Sequence, residues 1–307
     1  STFRKLAMSR VAIVGCTGSG KSSLAHVVAR NLGDVEIISV DSMSVYRGMS
    51  IATAKASLHE QSEVRYHLID VVDPWEEFTV AQFQSAARVA VREIEARGAG
   101  VLYVGGTGLY GRAVIDDFDI PAQFPDIRAE LEARVPDELP QLYAELVGAD
   151  PLAASRMEAT NARRIVRALE VFRGSGRPFS SFGPGVAHYA TSPIAQVGLE
   201  ADFEKLDAVL ESRFRSWMNE GLVEEVRSLR ASGHPLSRTA ALAVGYRQII
   251  DFLEGKTSEK EAVDLAIIAT KQLARRQRAW FRRDPRIEWF VHGDDATARI
   301  VELLEAS

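Results

Sequence analysis

Gly15-Cys16-Thr17-Gly18-Ser19-Gly20-Lys21-Ser22 is the stretch of this chain whose residue types and spacing most directly imply chemistry. It fits the pattern G-x-x-x-x-G-K-[ST], in which glycines let backbone N–H groups converge on phosphate oxygens. The N-terminus of a following helix adds its dipole, Lys21 adds a point charge, and the Ser22 hydroxyl can ligate Mg²⁺ carried by a diphosphate or triphosphate. The loop recognises phosphate and not the group attached to it. Its commonest owners are ATP-using kinases and NTPases, so the loop alone leaves the phosphorylated compound open.

Two further sets of polar residues sit where an α/β enzyme places its site. Residues 35–40 form a run ending at Asp41 and Ser42, and residues 100–104 form another ending at Gly105-Gly106-Thr107. Both read as buried parallel strands with polar C-terminal ends. The P-loop itself lies between the apolar run 11–14 and residues 22–32, whose apolar positions recur at helical spacing. Residues 79–97 predict a crossover helix: Thr79 suits an N-cap, Phe83, Ala86, Ala87, Ala90, Val91 and Ile94 share one face, and Gly98 ends it.

From about residue 121 to 184 strand signals vanish, and 126–134, 139–146 and 162–173 carry helical periodicity. Strand character returns at 194–199, long amphipathic helices are expected over 204–230 and 258–283, and a last strand over 287–291. The fold class expected is therefore α/β: a P-loop NTPase-like parallel sheet core flanked by helices, with a helical insertion domain. The core spans 8–120 and 190–307, and the insertion 121–189. The Gly- and Pro-rich link 174–193 is the expected hinge.

Composition narrows the class. At 307 residues and 46% hydrophobic content the chain can bury one large core with a smaller attached domain. No apolar run approaches a membrane span, and the N-terminus shows no signal-peptide pattern, so a cytoplasmic enzyme is expected. Residues 1–7 precede Met8 and are set aside from fold reasoning. The single cysteine, Cys16, excludes an intramolecular disulfide, and six scattered histidines make no zinc signature. A formal charge of -5 argues against a protein that coats nucleic acid, while leaving room for local basic faces.

After the second strand come Asp41-Ser42-Met43-Ser44-Val45-Tyr46-Arg47 and Ile51-Ala52-Thr53-Ala54-Lys55. Then follow, in order, Val104-Gly105-Gly106-Thr107-Gly108, Arg163-Arg164-Ile165-Val166-Arg167, Val244-Gly245-Tyr246-Arg247-Gln248 and Lys271-Gln272-Leu273-Ala274-Arg275-Arg276-Gln277. Over about residues 8–291 the chain resembles the bacterial tRNA dimethylallyltransferases. Three positions depart from that pattern: Leu242 stands where Arg or Gln is usual, Cys16 replaces a P-loop proline, and Ala52 replaces a glycine. The first puts one polar contact to RNA in doubt, and none removes a phosphate-donor side chain.

The resemblance implies transfer of the dimethylallyl group from dimethylallyl diphosphate to N6 of the adenosine adjacent to the anticodon (position 37), with diphosphate released. An exocyclic adenine amine is a weak nucleophile, so a base taking its proton helps, and Asp41 is the candidate. The other role open to Asp41 is holding Mg²⁺ water. Lys21, Mg²⁺ through Ser22, and Arg213 would meet the charge growing on the leaving group. A solvated helix position is the alternative for Arg213. Thr107 would bond the amine and the bridging oxygen, or else cap a helix.

For RNA, Lys271, Arg275, Arg278 and Arg282 follow helical spacing along one side, and Arg276 and Gln277 belong to the same signature. Arg163, Arg164 and Arg167 offer a second basic face, or pair with acids such as Glu158 and Glu170. Asp41, Ser42, Met43 and Ser44, with Val244, Gly245, Tyr246, Arg247 and Gln248, are expected to line the approach of a base turned out of an anticodon stem-loop. Mg²⁺ is the expected cofactor, and a monomer without membrane attachment the expected state. An adenylate dimethylallyltransferase and a P-loop small-molecule kinase are the rival readings.

Overall fold

A computed structural model describes residues 9–291 and 293–306. The expectations for residues 1–8 lie outside them. Six strands form one fully parallel sheet: β1 (Arg10–Val14), β2 (Val35–Ser39), β3 (Tyr66–His67), β4 (Gly100–Gly105), β5 (Ala195–Leu199) and β6 (Ile287–Phe290), in the order β3-β2-β4-β1-β5-β6.

Alternation along the strands explains why they are predominantly apolar, with Glu36 and Gln196 the buried polar exceptions. Val11, Ile13, Val35, Ile37, Leu102 and Val104 pack into one layer with Ala25, Val28, Ile300 and Leu304. Ala12, Ile38, Val40, Val101 and Tyr103 face the other layer, with Phe83, Ala87 and Ile94. A sheet covered on both faces leaves no solvated side for polar residues. The polar residues gather instead beyond the C-terminal ends of β1, β2 and β4.

The helices between Lys21 and Ile115 are α1 (Lys21–Leu32), α2 (Leu58–Glu63), α3 (Val80–Ala96) and α4 (Gly108–Ile115). Thr79 caps α3: its hydroxyl accepts from Gln82 N while the Gln82 side-chain oxygen accepts from Thr79 N, an arrangement worth about 1 kcal/mol.

By compactness the chain divides into two units. One runs to Ile115 and resumes at Thr191, and the other is Asp116–Ala190. The second holds α5 (Pro125–Ala149), α6 (Pro151–Ala154) and α7 (Ala162–Ser175) around Leu131, Leu142, Leu146, Ile165 and Leu169. Non-helical backbone at Glu138 kinks α5 at the boundary between its two periodic segments.

The remaining helices of the first unit are α8 (Phe203–Asn219), α9 (Leu222–Arg230), α10 (Arg238–Ala241), α11 (Tyr246–Leu253), α12 (Glu259–Phe281) and α13 (Gly293–Glu305). The single helix expected over 204–230 is corrected to α8 and α9. They are separated at Gly221, whose φ of 101° is left-handed and ends α-helical winding at little cost only for glycine.

Candidate active site

The P-loop leaves β1 and enters α1 as its sequence requires. Gly20, with φ 87°, occupies the position before the first helical residue, and Gly18, with φ 82°, lies so close to α8 that a Cβ would meet Leu206 Cδ1 at 2.6 Å. The loop is thus shaped by backbone conformation at one glycine and by both conformation and close packing at the other. Cys16 is buried beneath it, and its carbonyl accepts from Ser19 N at 3.2 Å and Lys21 Nζ at 3.2 Å.

Lys21 is 9% exposed. Burial pushes its pKa below the ordinary lysine value, the negative charge of Asp41 pulls it back up, and Arg213 pushes it further down. Arg213 reaches in from α8, donates from Nη2 to Thr17 Oγ1 at 2.8 Å, and lies over the Trp217 ring at 4.9 Å. Its Nε is buried with no acceptor among the described residues, and burial lowers the guanidinium pKa. Two desolvated cations thus lie beside a glycine loop, with one N–H lacking a partner. An oxyanion with several acceptor oxygens satisfies all three.

Asp41 begins the turn after β2. Its Oδ1 accepts from Met43 N at 2.7 Å and Ser44 N at 3.1 Å, which fixes the carboxylate and leaves Oδ2 free of protein hydrogen bonds among the described residues. Thr107 stands at the start of α4: its carbonyl accepts from Gly111 N, and its Oγ1 accepts from Ser42 N at 3.2 Å. The hydroxyl is thereby tied to the Asp41 turn while keeping its own proton to donate.

These groups meet in a cavity of about 450 Å³ within the first unit. Its walls include Lys21, Ser22, Asp41, Met43, Ser44, the 52–56 segment, Gly106, Arg213, Val244 and Gln277. The structure therefore brings the P-loop, Asp41 and Arg213 together, with Thr107 one hydrogen bond away.

Several expected RNA contacts fall elsewhere. Gln277 accepts from the P-loop amide Thr17 N at 2.8 Å, so this residue of the basic signature serves the phosphate loop. Tyr246 is fully buried and donates its phenol to Glu225 at 2.6 Å, which removes it from any exposed approach. Gln248 accepts from Gly245 N, capping α11. Arg247 is exposed.

The basic stripe on α12 is largely neutralised. Lys271 pairs with Glu211 at 3.4 Å, Arg275 with Asp207 at 2.8 Å, and both Arg278 and Arg282 with Glu200. Arg276 and Arg283 are exposed and have no carboxylate partner among the described residues. On α7 in the second unit, Arg163 and Arg164 are exposed. Arg167 instead turns to Glu170 at 2.8 Å and to the carbonyls of Pro121 and Ala122.

Sequence reasoning missed Lys55, whose side chain is 3% exposed and donates to Tyr46 O at 2.8 Å and Asp70 Oδ1 at 2.6 Å. Its place in the Ala-Lys end of a signature was the available signal. It also missed Glu225, for which a helix face of alternating charge gave none.

A P-loop on a parallel sheet, two buried cations and a fixed carboxylate define an α/β transferase or hydrolase that handles a phosphorylated ligand. The IPP transferase family matches residues 44–284. A tRNA dimethylallyltransferase of Kineococcus radiotolerans is 44% identical over 305 residues, covering 96% of each chain. The crystal structure of a tRNA isopentenylpyrophosphate transferase from Bacillus halodurans is 35% identical, with a TM-score of 0.69 and 96% of each chain covered. A eukaryotic dimethylallyltransferase solved acting on tRNA shares the fold at 22% identity, with a TM-score of 0.78 over 96% of this chain and 78% of that one. This chain belongs to the IPP transferase family.

Proposed function

We propose that this protein is a tRNA dimethylallyltransferase, moving the dimethylallyl group of dimethylallyl diphosphate onto N6 of an adenosine beside the anticodon. The observation that carries the reading is the pair of buried cations, Lys21 and Arg213, facing the same cavity as Asp41 in a member of this family.

The adenine nitrogen attacks the allylic carbon and forms the new C–N bond. The C–O bond to the diphosphate breaks, and its electron pair leaves with the diphosphate. Lys21 and the Nε of Arg213 meet the charge that grows on that oxygen, in a site already arranged before reaction. Oδ2 of Asp41 takes the proton lost from the amine, while Oδ1 keeps its two backbone bonds.

Mg²⁺ fits this donor set in one way. Among the described residues no cluster of His, Cys, Asp and Glu could hold a metal by itself. Ser22 lines the cavity, and Mg²⁺ retains waters readily and binds through substrate phosphates. Ser22 would hold it together with the diphosphate, where it would supply further neutralisation of the leaving group.

Arg163, Arg164, Arg276 and Arg283 support an RNA acceptor rather than free AMP, because each is an exposed cation that phosphate can reach. Arg276→Ala is expected to weaken tRNA binding and lower the salt slope by roughly 0.7 to 0.9. Arg275→Ala should change the slope far less, since Asp207 already neutralises Arg275. Filter binding across a salt series distinguishes them, and equal slopes would exclude Arg276 as a phosphate contact.

The test of the function is incubation of purified protein with Mg²⁺, labelled dimethylallyl diphosphate and either unmodified tRNA or AMP, followed by nucleoside mass spectrometry. Prenylated adenosine from tRNA supports the reading. Label on AMP alone would move the assignment to an adenylate enzyme, and ATP consumption without prenyl transfer to a kinase.

A further inference from the structure

Glu225 lies on α9, outside the P-loop and outside the motifs on which the family resemblance rests. Its carboxylate accepts from Ser50 N at 3.1 Å and 3.2 Å, from Ile51 N at 3.2 Å and 3.3 Å, and from Tyr246 Oη at 2.6 Å. One side chain therefore binds two segments far apart in sequence. The first leads into 52–56 and the second follows Ala243 and Val244, and both segments line the cavity.

The two segments also touch. A Cβ built on Gly245 would lie 3.1 Å from Ala52 Cβ and 3.2 Å from Phe214 Cε2. Side-chain volume there is already filled, so a small shift of either segment changes the cavity wall directly. The far end of the 52–56 segment is held separately by Lys55 on Tyr46 O and Asp70. Ala54, with φ 50°, sits between these anchors in a left-handed conformation that a non-glycine residue adopts only when its surroundings hold it.

Burial pushes the Tyr246 phenol far above its ordinary pKa, so it stays an O–H donor. A carboxylate is the partner that suits this arrangement: backbone N–H groups and a phenol are all donors, and an ionised Glu is acceptor-only. None of the donors belongs to the P-loop.

We infer that Glu225 is a positioning residue for transfer to the acceptor: it fixes the two wall segments against which the adenosine is aligned with the allylic carbon. The inference rests on the transferase reading and assigns Glu225 no contact with substrate.

The full-length protein is used for the test, with Glu225→Ala, Glu225→Gln and Tyr246→Phe. Glu225→Ala is expected to lower kcat/KM for tRNA by about 10- to 10²-fold, the scale set by small misplacement of reacting groups. The Kd for pyrophosphate should stay within about 2-fold, because the P-loop and its cations are untouched. Glu225→Gln should recover part of the loss, since its amide oxygen still accepts one of the bonds. Tyr246→Phe should show a smaller loss in the same direction.

Normal kcat/KM with only a lowered Tm would reduce Glu225 to a structural role and overturn the inference. Equal weakening of pyrophosphate binding would overturn it too. Should Glu225→Ala fail to fold, normal kinetics in both Glu225→Gln and Tyr246→Phe would have the same force. A wild-type protein that prenylates nothing overturns the transferase reading and this inference with it, whereas an active wild type with unaffected variants overturns the inference alone.

Discussion

Asp41→Ala is expected to lower turnover by about 10²-fold or more while pyrophosphate still binds. The expectation has two sources that must be separated. Asp41 Oδ1 holds the backbone amides of Met43 and Ser44, so removing the side chain also loosens the turn that carries Ser42 toward Thr107. Asp41→Asn is the control. Its amide oxygen can accept the same two bonds, and its nitrogen cannot take a proton from the adenine amine. If base chemistry is the role of Asp41, Asn is nearly as impaired as Ala in single-turnover transfer. Recovery of most of the rate in Asn would leave Asp41 as a residue that holds the turn, and the proton would have to leave by another route.

The parts of this site that were legible in the sequence are those whose chemistry is local. The P-loop is eight consecutive residues whose conformation follows from its glycines, and Asp41 and Thr107 could be placed because parallel strands deliver polar residues to one edge of the sheet. What could not be read is the side-chain pairing across long separations. Gln277 and Thr17 are 260 residues apart, and Arg213 and Thr17 are 196 apart. Nothing in Gln277's immediate neighbourhood distinguishes an RNA contact from a bond to a loop amide.

The α12 stripe makes the same point with charge. Helical spacing correctly puts Lys271, Arg275, Arg278 and Arg282 on one side, yet that side faces Glu211, Asp207 and Glu200. A row of cations is an RNA surface only where no carboxylate has been packed against it, and that depends on the neighbouring element. Arg276, one residue out of phase with the stripe, is exposed and, like Arg283, has no carboxylate partner among the described residues.

Secondary structure failed where periodicity slipped by a small amount. Buried Leu206, Leu210, Phe214 and Trp217 keep spacings of four, four and three, and the next buried apolar residue, Leu222, comes five later. That slip marks the break at Gly221. Helix α13 carried a readable pattern in Ala296, Ile300 and Leu304, and the helix packs against β1, β5 and β6. Strand β3, two residues long, has too little sequence to show any period.

Lys21→Met is expected to weaken pyrophosphate binding by about 10²-fold or more, the scale of removing one preorganised group from an anion site. Methionine keeps the length and apolar stem of the buried side chain, so the loss reports charge. The pH dependence carries more information than the affinity. In the free protein burial holds the Lys21 pKa below its ordinary value, and a bound diphosphate favours the charged form and raises it. Binding therefore takes up a proton once pH exceeds the lowered pKa of the free protein, and affinity falls as pH rises through that pKa. For folding the sign follows from the same shift: the cost of burying a charged Lys21 is fully present below the lowered pKa and disappears as pH climbs from there toward the ordinary one. Pyrophosphate titrates too, but equally against both proteins, so the difference between wild type and Lys21→Met isolates the lysine. Asp41→Asn sharpens the test, because the Asp41 charge holds the Lys21 pKa up, and its removal should move the decline in affinity to lower pH. Parallel pH profiles for wild type and Asp41→Asn would mean that the two groups do not share one electrostatic site.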